Sequence, residues 1–233
     1  MNHKTEKKPV FSTELAYFIA MITLALGTAF MEKANFGMSM VVAPAYILHL
    51  KISEFLPFFS FGMAEYFLQG VLLILLSLIL RRFRISYLFS FVTAVLYGFC
   101  LDGCMTLVGL IPVSGLIFRV IYYIIGMIIC SVGVALFFRT YFCPEAYELI
   151  VAEISKKYSL PVSRVKTVYD CVSCAVSIVL SFAFFGFGHF EGVKWGTILC
   201  ALINGTIIGL FSKLFDTAFE WKDFLNLKKY FQK

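Results

Sequence analysis

The chain has 233 residues, of which 61% are hydrophobic and only 15% charged, and its mean hydropathy is +0.89. A soluble domain of that size carries nearer a quarter charged residues, so the composition excludes an ordinary water-soluble fold. The net charge of +6 is accounted for by basic loops facing an anionic inner leaflet and calls for no nucleic-acid partner.

Six apolar stretches meet the ~20 residues that a helix needs to cross ~30 Å of hydrocarbon: roughly 12–31, 57–80, 86–111, 115–138, 162–185 and 194–214. The first follows Lys4, Lys7 and Lys8. Its apolar run exceeds a signal-peptide core and no small-x-small site follows, so it reads as a retained helix. Next comes a short apolar run, 38–50, centred on Pro44 and preceded by Asn35-Phe36-Gly37, residues that tolerate a helix break. It is too short to span and reads as either re-entrant or interfacial.

The second span carries Glu65 and Gln69 and ends at Arg81-Arg82-Phe83-Arg84, and the third carries Asp102 and Thr106. The fourth opens with Arg119, whose reach suggests an ion pair with Asp102. Residues 144–158 set Ala146, Leu149, Ile150 and Ile154 against Glu145, Glu148 and Lys156. That pattern predicts a helix lying along the inner membrane surface. The fifth span holds Asp170 with Ser173 and Ser177, and the sixth holds Asn204 between Trp195 and Trp221, which read as interfacial anchors. Lys33 and Arg139 read as snorkelling from span ends, with Glu32 solvated beside Lys33. Gly186-Phe187-Gly188 reads as an outer turn.

Basic residues cluster at 81–84, at Lys156, Lys157, Arg164 and Lys166, and at Lys222, Lys228, Lys229 and Lys233. Lys33, Lys51 and Lys194 fall on the other side. The positive-inside bias therefore places both termini in the cytoplasm. Six of the seven cysteines lie inside predicted spans and Cys143 at a span end, so they read as packing residues; Cys171 and Cys174 have CxxC spacing but no second pair. His3, His49 and His189 show no metal-ligand spacing, and neither a phosphate loop nor a hydrolase motif is present. The reading is of a non-enzymatic protein with no cofactor and no metal.

At an offset of 106 residues Gly27 matches Gly133, Lys33 matches Arg139 and Phe36 matches Phe142; Glu65 aligns with Asp170 at 105, and Gly98 with Gly205 at 107. The order span, short segment, span, span recurs. The expected fold class is an all-α polytopic membrane protein with two inverted three-span repeats, 1–112 and 113–215, and a cytoplasmic tail, 216–233. NFGMS (35–39), Pro44-Ala45-Tyr46, Glu65, Arg81-Arg82-Phe83 and Gly98 with Asp102 together resemble the YczE/YyaS/YitT family, in its short branch without an added cytosolic domain. The resemblance implies a bacterial plasma-membrane protein and transfers no catalytic residues.

Ionisable groups inside spans are functional candidates by default. Measured from Pro57, Pro112 and Pro161, taken as first-turn or end markers, Glu65, Asp102 and Asp170 fall ~12, ~15 and ~13 Å deep, near one midplane. Glu65, Gln69, Asp102, Asp170 and Asn204 are therefore the expected substrate or proton site. Asn35, Gly37 and Pro44 form the re-entrant element, and Arg119 is the ion-pair partner. Glu65 and Asp170 show no cationic partner within the membrane. The expected function is a secondary transporter of a small molecule or ion, with proton coupling open. The alternative is a scaffold or regulatory subunit acting through a protein partner; the bilayer is the common environment, and a homo-oligomer is left open.

Overall fold

The computed structural model describes residues 8–37, 39–187, 191–225 and 228. Expectations resting on His3, Lys4, Lys7, Met38, Gly188, His189, Lys229 and Lys233 lie outside those residues. Eight α-helices are described: α1 (Thr13–Ala34), α2 (Ala43–Ser53), α3 (Phe61–Leu80), α4 (Phe89–Gly109), α5 (Leu116–Phe137), α6 (Ala146–Tyr158), α7 (Val162–Phe185) and α8 (Trp195–Ala218). A 3₁₀ turn, Ile85–Leu88, leads into α4. Six helices are long and apolar enough to cross a membrane. The apolar runs fix them and local chemistry fixes their ends. Ser12 and Ser60 cap α1 and α3 through their hydroxyls, and Asn35, Arg81 and Ser159 take the left-handed conformation that closes α1, α3 and α6.

α1 and α5 form the central pair. Their crossing is lined by glycine: Gly27 lies against the backbone of Gly126 and Cys130, and Gly133 against Leu24 and Ala20. Small residues let two backbones approach where lipid offers no hydrophobic drive. α4 packs on α1 and α8 on α5, while α7 runs along α8. α3 and α4, by contrast, make at most a slight approach to each other. Residues 10–12 (β1) pair in parallel with 220–222 (β2), so both stretches sit at one end of the bundle, called here the strand end. Phe11, Phe215, Phe219 and Trp221 cluster there. Trp221 is thus a packing residue of a folded tail, whereas Trp195 is 86% exposed at the far end.

Both short helices enter the protein. Before α2 the chain turns inward, so that the buried Met40 accepts a bond from Ser173 (2.8 Å) halfway along α7. Ala43, Pro44 and Ala45 at the start of α2 are sealed, and α2 packs on α3 and α7. α6 overturns the surface-helix expectation: Ala146 to Val151 are all buried, Glu148 included, and α6 packs on α7, α3 and α4. Glu145 and Glu148 at its start meet polar protein rather than water, while Lys156 and Lys157 at its end stay exposed. α3 begins at Phe61, four residues after Pro57, because Pro57 and Phe58 lie in a turn. Glu65 is therefore ~6 Å into its helix, shallower than the proline marker suggests. Pro161 does cap α7.

Candidate functional site

A cavity of about 950 Å³ runs from the exposed residues Glu191 and Lys194 at the far end to a buried floor that includes Lys166, Glu145, Glu148 and Asn204. Its walls come from α1, α3, α4, α5 and the loop into α2. Carboxyl groups among the lining residues (Glu32, Glu65, Asp102, Glu145, Glu148, Glu191) outnumber ammoniums (Lys33, Lys166, Lys194).

The start of α6 organises the floor. Tyr147 donates to Glu65 Oε1 at 2.9 Å, and the next residue, Glu148, receives Lys166 Nζ at 3.2 Å. Two adjacent α6 side chains thus bridge α3 of the first half and α7 of the second. Lys166 also stands 3.0 Å from Asp170, one turn further along α7. Lys166, Asp170 and Glu148 are 1%, 0% and 5% exposed. Glu145 is buried beside them; desolvation, with the charges of Glu148 and Glu65, holds its carboxyl well above the usual carboxylate range. Burial and Glu65 likewise push the Tyr147 phenol up, so it stays a donor.

The structure brings together most of the expected site. Glu65, Gln69, Asp102 and Asn204 all line the cavity. Gln69 is 1% exposed, and among the described residues its Oε1 accepts no hydrogen bond. Asn204 accepts from Ser131 at 2.8 Å. Asp102 is exposed on the α4 wall. Asp170 reaches the cavity only through Lys166, because it is not itself on the wall. Asn35 binds Lys194 Nζ at 2.8 Å, and Gly37 sits at φ 114° against Lys194 and Thr197, where a side chain would collide.

Two expectations are corrected. Asp170 does have a cationic partner within its span, since Lys166 belongs inside α7 rather than to the basic loop before it. Arg119 is not paired with Asp102: its Nε donates to Ala34 O at 2.7 Å and its Nη2 to Asn35 O at 3.0 Å. The guanidinium lies over the Phe36 ring and serves the last carbonyls of α1, which a helix C-terminus leaves unpaired. Sequence reasoning missed Lys166, Glu145, Glu148 and Tyr147. The spacing of Lys166 and Asp170, four apart on a helix face, was the available signal.

At the strand end the floor is latched shut. Thr93 donates to Cys143 O at 2.7 Å, and the Tyr17 hydroxyl lies 2.8 Å from Thr93 Oγ1. Tyr141, with its phenol raised by burial and by Glu14, donates to Glu14 at 2.9 Å. Glu14 also accepts the backbone N–H of Phe224 (3.0 Å) and Leu225 (2.8 Å) from the tail. The seven cysteines are free thiols. Among the described residues no three His, Cys, Asp or Glu side chains converge on a metal position.

Residues 11–213 match a family of unknown function (DUF6198), and the chain belongs to that family. No curated protein and no solved structure gives a match.

Proposed function

We propose that the chain is a secondary transporter whose acidic cavity admits a small cationic solute or a proton-coupled one, and that its two halves are inverted repeats. The observation that carries this reading is the α6 bridge: Tyr147 holds Glu65 on α3 while Glu148 holds Lys166 on α7, at the closed floor of an otherwise open cavity. Protonating or neutralising one of these carboxyls changes which helix α6 favours. Such a bias on a two-state element is what alternating access requires.

Paired contacts support the repeat. Lys33 at the end of α1 donates to Gly109 O at the end of α4 (3.0 Å), and Arg139 just after α5 binds Ser212 and Asp216 near the end of α8. Tyr97 of α4 bonds Thr28 of α1 (2.9 Å), and Asn204 of α8 bonds Ser131 of α5. α2 touches α3 and α7, and α6 touches α7 and α3. The basic residues 81–84, Lys156, Lys157 and Arg164 favour a cytoplasmic strand end, so the cavity faces outward in this state. Within this proposal the likeness to YczE/YyaS/YitT proteins stands as kinship at the level of motif, with a bacterial plasma membrane as the location.

The test is thermal stabilisation of the purified protein across a library of inorganic cations, amines and metabolites at two pH values, followed by uptake in proteoliposomes. A ligand of the folded state raises apparent stability by mass action. A hit in wild type that is lost in Glu65→Gln supports the carrier. Normal uptake by both Glu65→Gln and Asp170→Asn sinks it. An empty library together with co-purification of one stoichiometric partner turns the assignment to a scaffold.

A further inference from the structure

We propose that the groove between α3 and the start of α4, at the strand end, binds one anionic phospholipid. Arg81 and Arg82 hold the phosphate, and an acyl chain lies along Leu73, Ile74, Leu78 and Phe91. The inference is independent of transport and rests on the chain spanning a bilayer with its strand end cytoplasmic, as proposed above.

The groove exists because α3 and α4 diverge. It is an open groove of about 560 Å³, with hydrocarbon walls and arginines at one end. Its walls stay apolar even at the hydroxyl: Ser77 turns back to donate to Leu73 O at 2.7 Å. At Gly70 an added Cβ meets nothing within 4 Å. A gap of this size between membrane helices is filled by something, and its polarity gradient is that of an amphiphile lying parallel to the helices.

Charge decides which amphiphile. Glu153 is the only carboxylate that pairs with this arginine cluster among the described residues. It stands 3.5 Å from Arg82 and 3.9 Å from Arg84 and also accepts from Tyr87. Among the described residues Arg81 has no ion-pair partner, and Lys157 adds a further cation on Ile79 O, at the end of α3. One carboxylate thus faces four cations. The carbonyls at this helix end would repel an anion, but Lys157 covers Ile79 O and the Arg81 N–H bonds Leu78 O. Guanidinium forks suit phosphate oxygens, and basic pockets between spans on the cytoplasmic face are where anionic headgroups bind. A second copy of the chain is the poorer occupant. Copies in one bilayer share orientation, so a two-fold contact through this groove would bring two arginine clusters together.

The experiment titrates detergent-purified, delipidated protein with phosphatidylglycerol, phosphatidylcholine or soluble glycerol phosphate and follows the melting temperature. Phosphatidylglycerol is expected to raise it with saturation; the zwitterionic lipid and the free headgroup are not. Arg81→Gln/Arg82→Gln should weaken the phosphatidylglycerol response by roughly thirtyfold, at about 1 kcal/mol per basic residue. Gly70→Leu, which fills the open groove without touching a charge, should weaken it as well and stands in if the arginine variant does not fold. Equal stabilisation by phosphatidylcholine, full reproduction by glycerol phosphate, or an unchanged response in Gly70→Leu would overturn the proposal.

Discussion

Lys166 precedes Asp170 by one turn of α7, and its ammonium stands 3.0 Å from the Asp170 carboxylate with neither side chain reaching solvent. Glu148 approaches the same ammonium from α6 at 3.2 Å. Removing the shared cation leaves two buried carboxylates without compensation, whereas removing one carboxylate leaves the ammonium its other partner. Lys166→Met is therefore expected to cost about 3–5 kcal/mol, and Asp170→Asn distinctly less. Unfolding in detergent, with the Lys166→Met/Asp170→Asn double variant recovering part of the loss, checks the order. Equal costs for the two single changes would show that Glu148 contributes nothing.

Glu145 gives a pH signature. Its folded carboxyl titrates well above the ordinary 4.5 because burial and neighbouring carboxylates oppose its charge. Above pH 4.5 the unfolded chain has released this proton and the folded chain has not, so Glu145 makes stability fall as pH rises, until the folded group also ionises. Glu145→Gln removes that term. Its melting temperature is expected to decline less than that of wild type as pH is raised from the ordinary carboxylate range. Parallel pH profiles would refute the assignment.

Hydropathy sufficed for the six long helices because a lipid-facing run needs nothing but its own apolar length. Glu65 and Asn204 were legible as intramembrane polar residues for the same reason. The floor was hidden by two ambiguities. Lys166 follows Arg164 just after Pro161, and a lysine one turn into a span looks the same in sequence whether it snorkels or pairs inward with Asp170. α6 has one polar face, and periodicity cannot tell water from a polar cavity as the medium it meets. Glu145 and Glu148 therefore read as surface charges. Arg119 was misassigned because a long side chain offers several partners within reach, and the carbonyls of Ala34 and Asn35 leave no mark in a charge pattern.

The glycines of the central pair should divide sharply by contact. A Cβ at Gly27 would stand 2.7 Å from Gly126 O, and one at Gly133 2.8 Å from Leu24 N, both rigid backbone. Gly27→Val and Gly133→Val are expected to abolish monodisperse protein in size exclusion, while Gly98→Ala, which meets nothing within 4 Å, leaves it intact. Tolerance of Gly27→Val would mean that α1 and α5 do not pack this closely.

Arg119 and Asp102 are expected to act independently. Arg119→Ala frees the Ala34 and Asn35 carbonyls at the end of α1, which now bond a charged donor, at about 1.5–3 kcal/mol each, although exposure of one contact reduces that sum. Asp102→Asn removes a cavity charge that no ion pair among the described residues engages. A double-mutant cycle on unfolding should be additive within about 0.5 kcal/mol. A larger coupling would restore the pair that the geometry denies.

Glu65 and Tyr147 separate function from packing most cleanly. Gln at 65 keeps an oxygen that can accept the Tyr147 hydroxyl but can no longer bind or release a proton. Phe at 147 keeps the ring but leaves Glu65 Oε1 without the donor now at 2.9 Å. Tyr147→Phe is therefore expected to cost about 1–3 kcal/mol of stability, and Glu65→Gln less than that. If Glu65 carries the transported charge, the ranking reverses for uptake: Glu65→Gln is the more stable variant and the inactive one, while Tyr147→Phe retains partial flux. Melting and proteoliposome uptake measured on the same preparations decide it. If Glu65→Gln loses neither stability nor uptake, the bond to Tyr147 serves only to dock α6 on α3.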